Sequence, residues 1–282
     1  MGTGQRYGPE RRLLACLLQA TKTRTFAVSV SAGFAQVLEN PPLIEPEKYT
    51  GRFLYKYRTA GHWERLRDIL LKHELYFPTA EELNDPREAR PTIHPRSSAE
   101  FGAMLRRYAP TSPGETPENY RRTQDDLEHS ISRLENRFLV RKLEEHLYNQ
   151  MKHHRVFSFG THPDNPELWR RYADHHRGYC LEFRNDPPIA GFAFVVRYQN
   201  RIELDVMNGV NNWFLCYKTK KWEFEEEVRV LGGRTPDPVR LMPELLSRII
   251  LGKRISESSA RYIRGLAAQR IPALPVIAES EL

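Results

Sequence analysis

The chain is poor in the features that most directly announce a chemistry. It has three cysteines, Cys16, Cys180 and Cys216, and no Cys-x-x-Cys pair. An odd, widely spaced set builds neither a disulfide framework nor a zinc knuckle, and it suits a reducing cytoplasm. Long apolar runs are scarce. The main early one, Leu13-Leu14-Ala15-Cys16-Leu17-Leu18 after Arg11-Arg12, is too short to span a bilayer and lacks a convincing cleavage site. It reads as a short packed helix or an upstream extension, so no membrane partner is expected. No Gly-x-Gly-x-x-Gly follows a strand and no phosphate-loop sequence occurs, which argues against a doubly wound dinucleotide fold. His153-His154 and His175-His176 lack the i,i+4 spacing that brings two imidazoles to one metal on a helix, so no structural metal is expected.

What is present fits an ordinary soluble chain. Its 282 residues are 40% hydrophobic, 28% charged and 11% aromatic, enough for a substantial core. The net charge of +7 and pI near 9.3 permit an anionic partner, but Lys and Arg are scattered rather than blocked. Nucleic acid therefore stays open as a partner without being implied.

Residues 1–50 show no clear relation to the rest, and Asn40-Pro41-Pro42 with Pro46 reads as a linker. Residues 51–282 read as one α+β domain with a mostly helical insertion at about 95–154, because strands and helices mix without regular βαβ alternation. Phe53–Arg58 is strand-like, and Gly61-His62 opens a helix with Trp63, Leu66, Ile69, Leu70 and His73 on one face. Leu75–Phe77 reads as a short strand, Thr79–Leu83 as a helical turn, and Asn84-Asp85-Pro86 as a turn. Thr116-Pro117 starts a long helix or helical pair, with Leu127, Ile131, Leu134, Phe138, Leu143, Leu147 and Met151 on one stripe. A homodimer through this 117–154 helix is conceivable, with packing on the domain as the default.

Further strands are expected at Arg155–Phe159, Tyr179–Phe183, Phe192–Tyr198, Leu215–Lys218, Glu223–Leu231, Arg248–Leu251 and Ala273–Ile277. Helices are expected from Asn165-Pro166, with Leu168, Trp169, Tyr172 and His176 inward, and over Glu257–Gln269.

The densest chemical signal is Trp222-Glu223-Phe224-Glu225-Glu226-Glu227-Val228-Arg229. Glu is depleted in strands, yet here four acids interrupt strand-forming residues. In an extended chain Trp222, Phe224, Val228 and Val230 share one face, with Glu226 as its odd member; Glu223, Glu225, Glu227 and Arg229 share the other. That spacing puts Glu225 and Glu227 about 6.5–7 Å apart, close enough to serve one small site. The plainer reading is a solvated strand face with cross-strand ion pairs, Arg229 neutralising Glu225 or Glu227. Likewise, Trp169, Tyr172 and Trp222 are more often core aromatics than ligand platforms, and Cys180 more often a buried thiol.

Four segments recur together as a set: Leu54-Tyr55-Lys56-Tyr57-Arg58, Leu83-Asn84-Asp85-Pro86, Phe157-Ser158-Phe159 with Trp169-Arg170-Arg171-Tyr172-Ala173, and Lys221-Trp222 through Arg229. Gly178 with Leu181-Glu182-Phe183 and the late Ile250-Leu251-Gly252-Lys253 fit the same order. In that order they resemble the bacterial domain-of-unknown-function 2971 family, over about residues 53–277.

That strand-helix-strand order with a late Glu-x-Glu is similar to ADP-ribosyltransferase-like domains, including those of bacterial toxins and phage-defence systems. The resemblance implies a split β-sheet with flanking helices and NAD as substrate. Breaking the nicotinamide–ribose bond passes through an oxocarbenium-like state, and nicotinamide leaves neutral without a general acid. A carboxylate set against the ribose cation supplies the stabilisation. Glu227 is the first candidate, with Glu225 orienting the nucleophile. The resemblance places Tyr57 or Arg58 on the dinucleotide, the guanidinium suiting a pyrophosphate. Ser158 shapes the nicotinamide pocket, and Tyr172 stacks on a ring. Tyr57-Arg58 and Phe157-Ser158-Phe159 depart from the Arg with Ser-x-Ser or His with Tyr patterns usual in those transferases.

Two rival readings stay open. One is a metal-dependent nuclease in which Asp205, Glu225 and Glu227 hold magnesium. The other is a non-catalytic module that grips a nucleic acid or protein. The transferase reading implies a cytoplasmic toxin or defence effector with a nucleic-acid or protein acceptor.

Overall fold

The computed structural model describes residues 46–83, 85, 88–90, 92–93, 136–187, 189–200, 212–232 and 238–282. The expectations placed on 1–45, on the Asn84 and Pro86 turn, on 94–135 and on Asp205 lie outside the described residues. The chain is mixed α+β, as its irregular alternation of strand and helix patterns implied.

It divides into two compact units. The smaller includes 90–151, whose described helix Asn136–Met151 buries Leu143, Leu147 and Met151 at steps of four, on the expected stripe. Within it the Ile93 N–H donates to the Glu144 carboxylate at 2.8 Å.

The larger unit comprises 45–89, 152–202 and 212–282. Its strands, in chain order, are β1 Phe53–Arg58, β2 Glu74–Leu75, β3 Val156–Phe159, β4 Tyr179–Arg184, β5 Ala193–Val195, β6 Arg197–Gln199, β7 Tyr217–Thr219, β8 Val228–Leu231, β9 Val239–Arg240, β10 Leu246–Leu251 and β11 Val276–Ala278. The six main strands fall into two half-sheets, β1-β4-β10 extended by β11, and β3-β8-β5. A bridge between Tyr55 and Gly160 joins them, each backbone N–H donating to the other's carbonyl at 3.0 and 2.8 Å.

The larger half-sheet is covered on both faces. Alternation along β1 sends Leu54 to one side, with Leu181, Phe183 and Ile249, where the helix Glu257–Gln269 brings Ala260, Ile263, Leu266 and Ala267. Tyr55 and Tyr57 point to the other, with Cys180, Ile250, Leu168 and Trp169. Tyr179–Arg184 is therefore a nearly continuous buried run.

Local signals account for the helix starts. Asn165 accepts from the N–H groups of Glu167 and Leu168, with Pro166 in the first turn of Pro166–Tyr172. Ser256 accepts from the Ser259 N–H at the head of Glu257–Gln269.

Several expected elements differ from the structure. The second strand is only Glu74–Leu75, and Phe77 packs as core instead. The helix over Pro166–Tyr172 stops before His176, because Asp174, His175 and His176 all take left-handed conformations. Gly178 follows because a Cβ there would stand 2.0 Å from the Arg58 carbonyl oxygen. Phe192–Tyr198 forms two short strands, and the expected strand at Leu215 begins at Tyr217 after a 3-10 turn over Asn212–Cys216. Most important, Glu223–Leu231 is not one strand. Lys220–Glu225 is 3-10, Glu226 is left-handed at φ 43, and extended pairing begins at Val228.

Candidate functional site

The left-handed Glu226 decides where the acids go. Glu226 stays exposed, near Thr161 and His162, while Glu225 and Glu227 on either side turn inward and are each 4% exposed. The shared side expected for these two carboxylates is realised, but by a 3-10 turn and a left-handed residue rather than by a pleat. Glu223 does not join them and lies exposed.

Both carboxylates converge on Lys218 at the middle of β7. Its ammonium donates to Glu225 Oε2 at 2.5 Å and to Glu227 Oε2 at 3.0 Å, with Glu88 Oε1 at 3.9 Å. Arg229, on β8, grips Glu227 in a fork, Nε to Oε1 at 2.8 Å and Nη2 to Oε2 at 3.0 Å. The same guanidinium donates to Glu88 and to the Leu215 carbonyl. Tyr172, at the end of Pro166–Tyr172, donates its hydroxyl to Glu225 Oε1. The Tyr198 hydroxyl accepts the Glu227 backbone N–H at 2.8 Å.

Three acids, two cations and two phenols thus form one continuous, largely buried network. Burial alone would make unpaired charges here prohibitive. The interleaving of signs is what makes the cluster tolerable.

Proton affinities follow from that layout. Burial pulls the Lys218 ammonium down, but Glu227 and Glu225 outweigh it and hold its pKa above the ordinary lysine value. Burial pushes the Glu227 carboxyl up; Lys218 pulls it back, Glu225 adds to the rise, and a hydrogen bond from Ser158 opposes it. Burial and then Glu225 raise the Tyr172 phenol, keeping it protonated as a donor. Burial lowers the Arg229 guanidinium, which still stays cationic because its ordinary value is so high.

Ser158 belongs to this site: it pairs with Arg229 across β3 and β8, and its side chain reaches Glu227. Its carbonyl takes a hydrogen bond from the Lys56 ammonium at 2.5 Å, across the join of the half-sheets. Lys56 also lies over the Phe157 ring, 4.6 Å from its centroid. Burial, then the nearby Arg58, pull its pKa well below the lysine value against Glu227 and Glu225.

Tyr57 and Arg58 are placed differently. Tyr57 points to the opposite face of β1 from Lys56, donates to the His162 carbonyl at 2.5 Å and packs edge-on to Trp169. It is a core aromatic there. Arg58 shares the Lys56 face, half-buried, and among the described residues no hydrogen bond ties its guanidinium to either glutamate.

Sequence reasoning missed Lys218, Glu88, Tyr198 and Lys56 as members. Lys218 had a usable signal, a charge directly abutting the apolar run Phe214–Tyr217. Glu88 had none, since it reaches Arg229 from 141 residues away. Nearby, the Trp222 indole donates to Asp85 Oδ2 at 2.7 Å, where Lys221 also stands at 3.2 Å.

Among the described residues, no group of three or more His, Cys, Asp or Glu side chains is arranged to hold a metal ion, and no helix is long and apolar enough to cross a membrane. A divalent cation at Glu225 and Glu227 would have to displace Lys218 or Arg229. No family model, curated protein or solved structure matches this chain.

Proposed function

We propose that the larger unit is an NAD-consuming domain of ADP-ribosyltransferase-like architecture that transfers ADP-ribose to a macromolecular acceptor. The observation that carries this reading is the meeting of Glu225, Glu227 and Ser158 at the head of β8, beside the join of two half-sheets. The sheets β1-β4-β10-β11 and β3-β8-β5, bridged at Tyr55 and Gly160, support the split sheet that the resemblance to those transferases implies.

In this reading the C1′–nitrogen bond of the nicotinamide riboside breaks and its electron pair leaves with neutral nicotinamide. The ionised Glu227 carboxylate faces the developing ribose cation. Glu225, whose partners are an ammonium and a phenol, receives the proton of the incoming acceptor nucleophile. Arg58 stands on the same strand face as Lys56 and can bind the pyrophosphate. Ser158 and Tyr172 wall the nicotinamide side. The acceptor is a protein or nucleic acid, and a toxin or phage-defence effector is the role such chemistry fits.

The same saturation of charges also favours a second reading. Lys218, Glu225, Glu227 and Arg229 are each buried and mutually paired, as expected for a keystone inside a binding module. One experiment separates the two. Nicotinamide release from NAD is measured for the wild type and Glu227→Gln, with lysate or nucleic acid as acceptor and folding checked by circular dichroism. Release that vanishes in a folded Glu227→Gln protein supports the transferase. No release and no NAD binding by folded wild type rejects it and leaves the keystone reading.

A further inference from the structure

We infer that Lys218 is a positioning residue that keeps Glu225 and Glu227 ionised side by side inside the larger unit. Its consequence for catalysis rests on the transferase reading; the inference about charge does not.

The geometry carries it. Two carboxylates separated by one residue both turn inward and share one ammonium, at 2.5 and 3.0 Å. Like charges so close cannot both persist in a buried site without a cation between them. Among the described residues, the other groups facing the pair are neutral, like the buried Cys216 thiol near Glu227, or engaged elsewhere. From β8, Arg229 serves Glu227 and Glu88 rather than Glu225. From the helix Pro166–Tyr172, Tyr172 gives Glu225 a neutral hydrogen bond. From β3, Ser158 bonds Glu227, and from β6 the Tyr198 hydroxyl is spent on a backbone N–H. From β1, Lys56 donates to the Ser158 carbonyl. Lys218 is therefore the cation hydrogen-bonded to both acids among the described residues.

Removing it should make one carboxyl of the pair bind a proton. Its folded-state pKa then rises above its unfolded value, so the folded protein holds more protons than the unfolded chain. Stability is highest below the unfolded pKa and is lost as pH rises from there through the folded one. Lys218→Met should thus lose melting temperature more steeply than the wild type as pH rises from about pH 5 to about pH 8. Lys218→Met with Glu225→Gln should lose that slope, since one acid then remains against Arg229. Lys218→Arg should behave as wild type.

Thermal melting of these four proteins across pH is the test. A Lys218→Met profile parallel to wild type overturns the inference, as does a slope that persists with Glu225→Gln. Should Lys218→Met fail to fold, carbon-13 glutamate spectra of the wild type decide, assigned with Glu225→Gln. Both side-chain carboxyl carbons should show the chemical shift of an ionised acid at neutral pH; a protonated carboxyl in either overturns the proposal. NAD turnover by the wild type is read in parallel. Its absence with the melting signature present rejects the transferase and not the role of Lys218, whereas turnover without that signature does the reverse.

Discussion

Arg229 and Glu227 lie two residues apart yet form a two-pronged ion pair, Nε to Oε1 at 2.8 Å and Nη2 to Oε2 at 3.0 Å, with the guanidinium 1% exposed. Residues i and i+2 share a side in extended backbone, and here the strand begins between them, at Val228. The pair sits at the start of β8 and ties the acid-bearing turn to the sheet. The consequences are large, because breaking a buried pair leaves a charge stranded.

Arg229→Met should accordingly cost about 3–5 kcal/mol in urea unfolding, since Glu227 and Glu88 both lose the buried guanidinium they share. Arg229→Lys should recover only part of this, because an ammonium lacks the planar fork. Adding Glu227→Gln to Arg229→Met should cost less than the two single losses combined. Strict additivity in that cycle would show that the pair is not energetically coupled.

Asn165→Ala should remove two kinds of contact at once. Its side-chain oxygen caps the helix through the N–H groups of Glu167 and Leu168, both at 3.1 Å, and its amide donates to the Phe224 carbonyl at 2.8 Å. A loss of about 2 kcal/mol is expected, at the upper end for a cap. Asn165→Asp keeps the cap but forfeits the amide donor, so it should fall between. Stability of Asn165→Asp equal to that of the wild type would deny the Phe224 contact any weight.

Gly178→Ala should be among the most damaging single changes outside the charged network. The added Cβ would meet the Arg58 carbonyl oxygen at 2.0 Å and Ala173 Cα at 3.0 Å, both backbone atoms that cannot rotate away. A cost above about 3 kcal/mol is expected from strain of this kind. Gly265→Ala, where nothing lies within 4 Å, is the internal control and should leave the melting temperature unchanged or raise it.

Glu82 offers a test of pH dependence with the opposite sign from the Lys218 series. Its carboxylate accepts the Thr79 backbone N–H at 2.7 Å, the Thr79 hydroxyl at 2.9 Å and the Tyr76 hydroxyl at 2.7 Å. The Thr79 backbone bond and then Tyr76 lower its pKa. A depressed folded-state value contributes stability above the unfolded pKa, and that contribution fades as pH falls through the folded one. Glu82 is exposed, so Glu82→Gln should cost only about 0.5 kcal/mol near neutral pH and nothing measurable below about pH 3. A cost unchanged at acidic pH would place the effect elsewhere than in this carboxylate.

The elements legible in advance were those whose signals are local. Asn165-Pro166 announced a helix start through a short-range cap, and Tyr179–Phe183 announced a strand. The acid cluster was legible as chemistry, because Glu225 and Glu227 are close in any conformation that keeps 226 turned the other way.

Its backbone was not. Alternation implied a strand through Glu223, but Glu225 and Glu227 reach Lys218 from a 3-10 turn and a left-handed Glu226, and the strand waits until Val228. Local pattern cannot reveal a partner that arrives from elsewhere in the chain.

By itself, the sequence determined the mixed α+β class, the helix caps and the concentration of acids near residue 225, all consequences of side-chain type and spacing over a few residues. Tertiary structure alone decided that Lys218 stands between those acids, that Glu88 joins them through Arg229, and that Lys56 rather than Tyr57 approaches Ser158. The physical reason is that charge pairing in a buried site depends on three-dimensional distance, which strand pairing and half-sheet closure set, and which spacing along the chain does not encode.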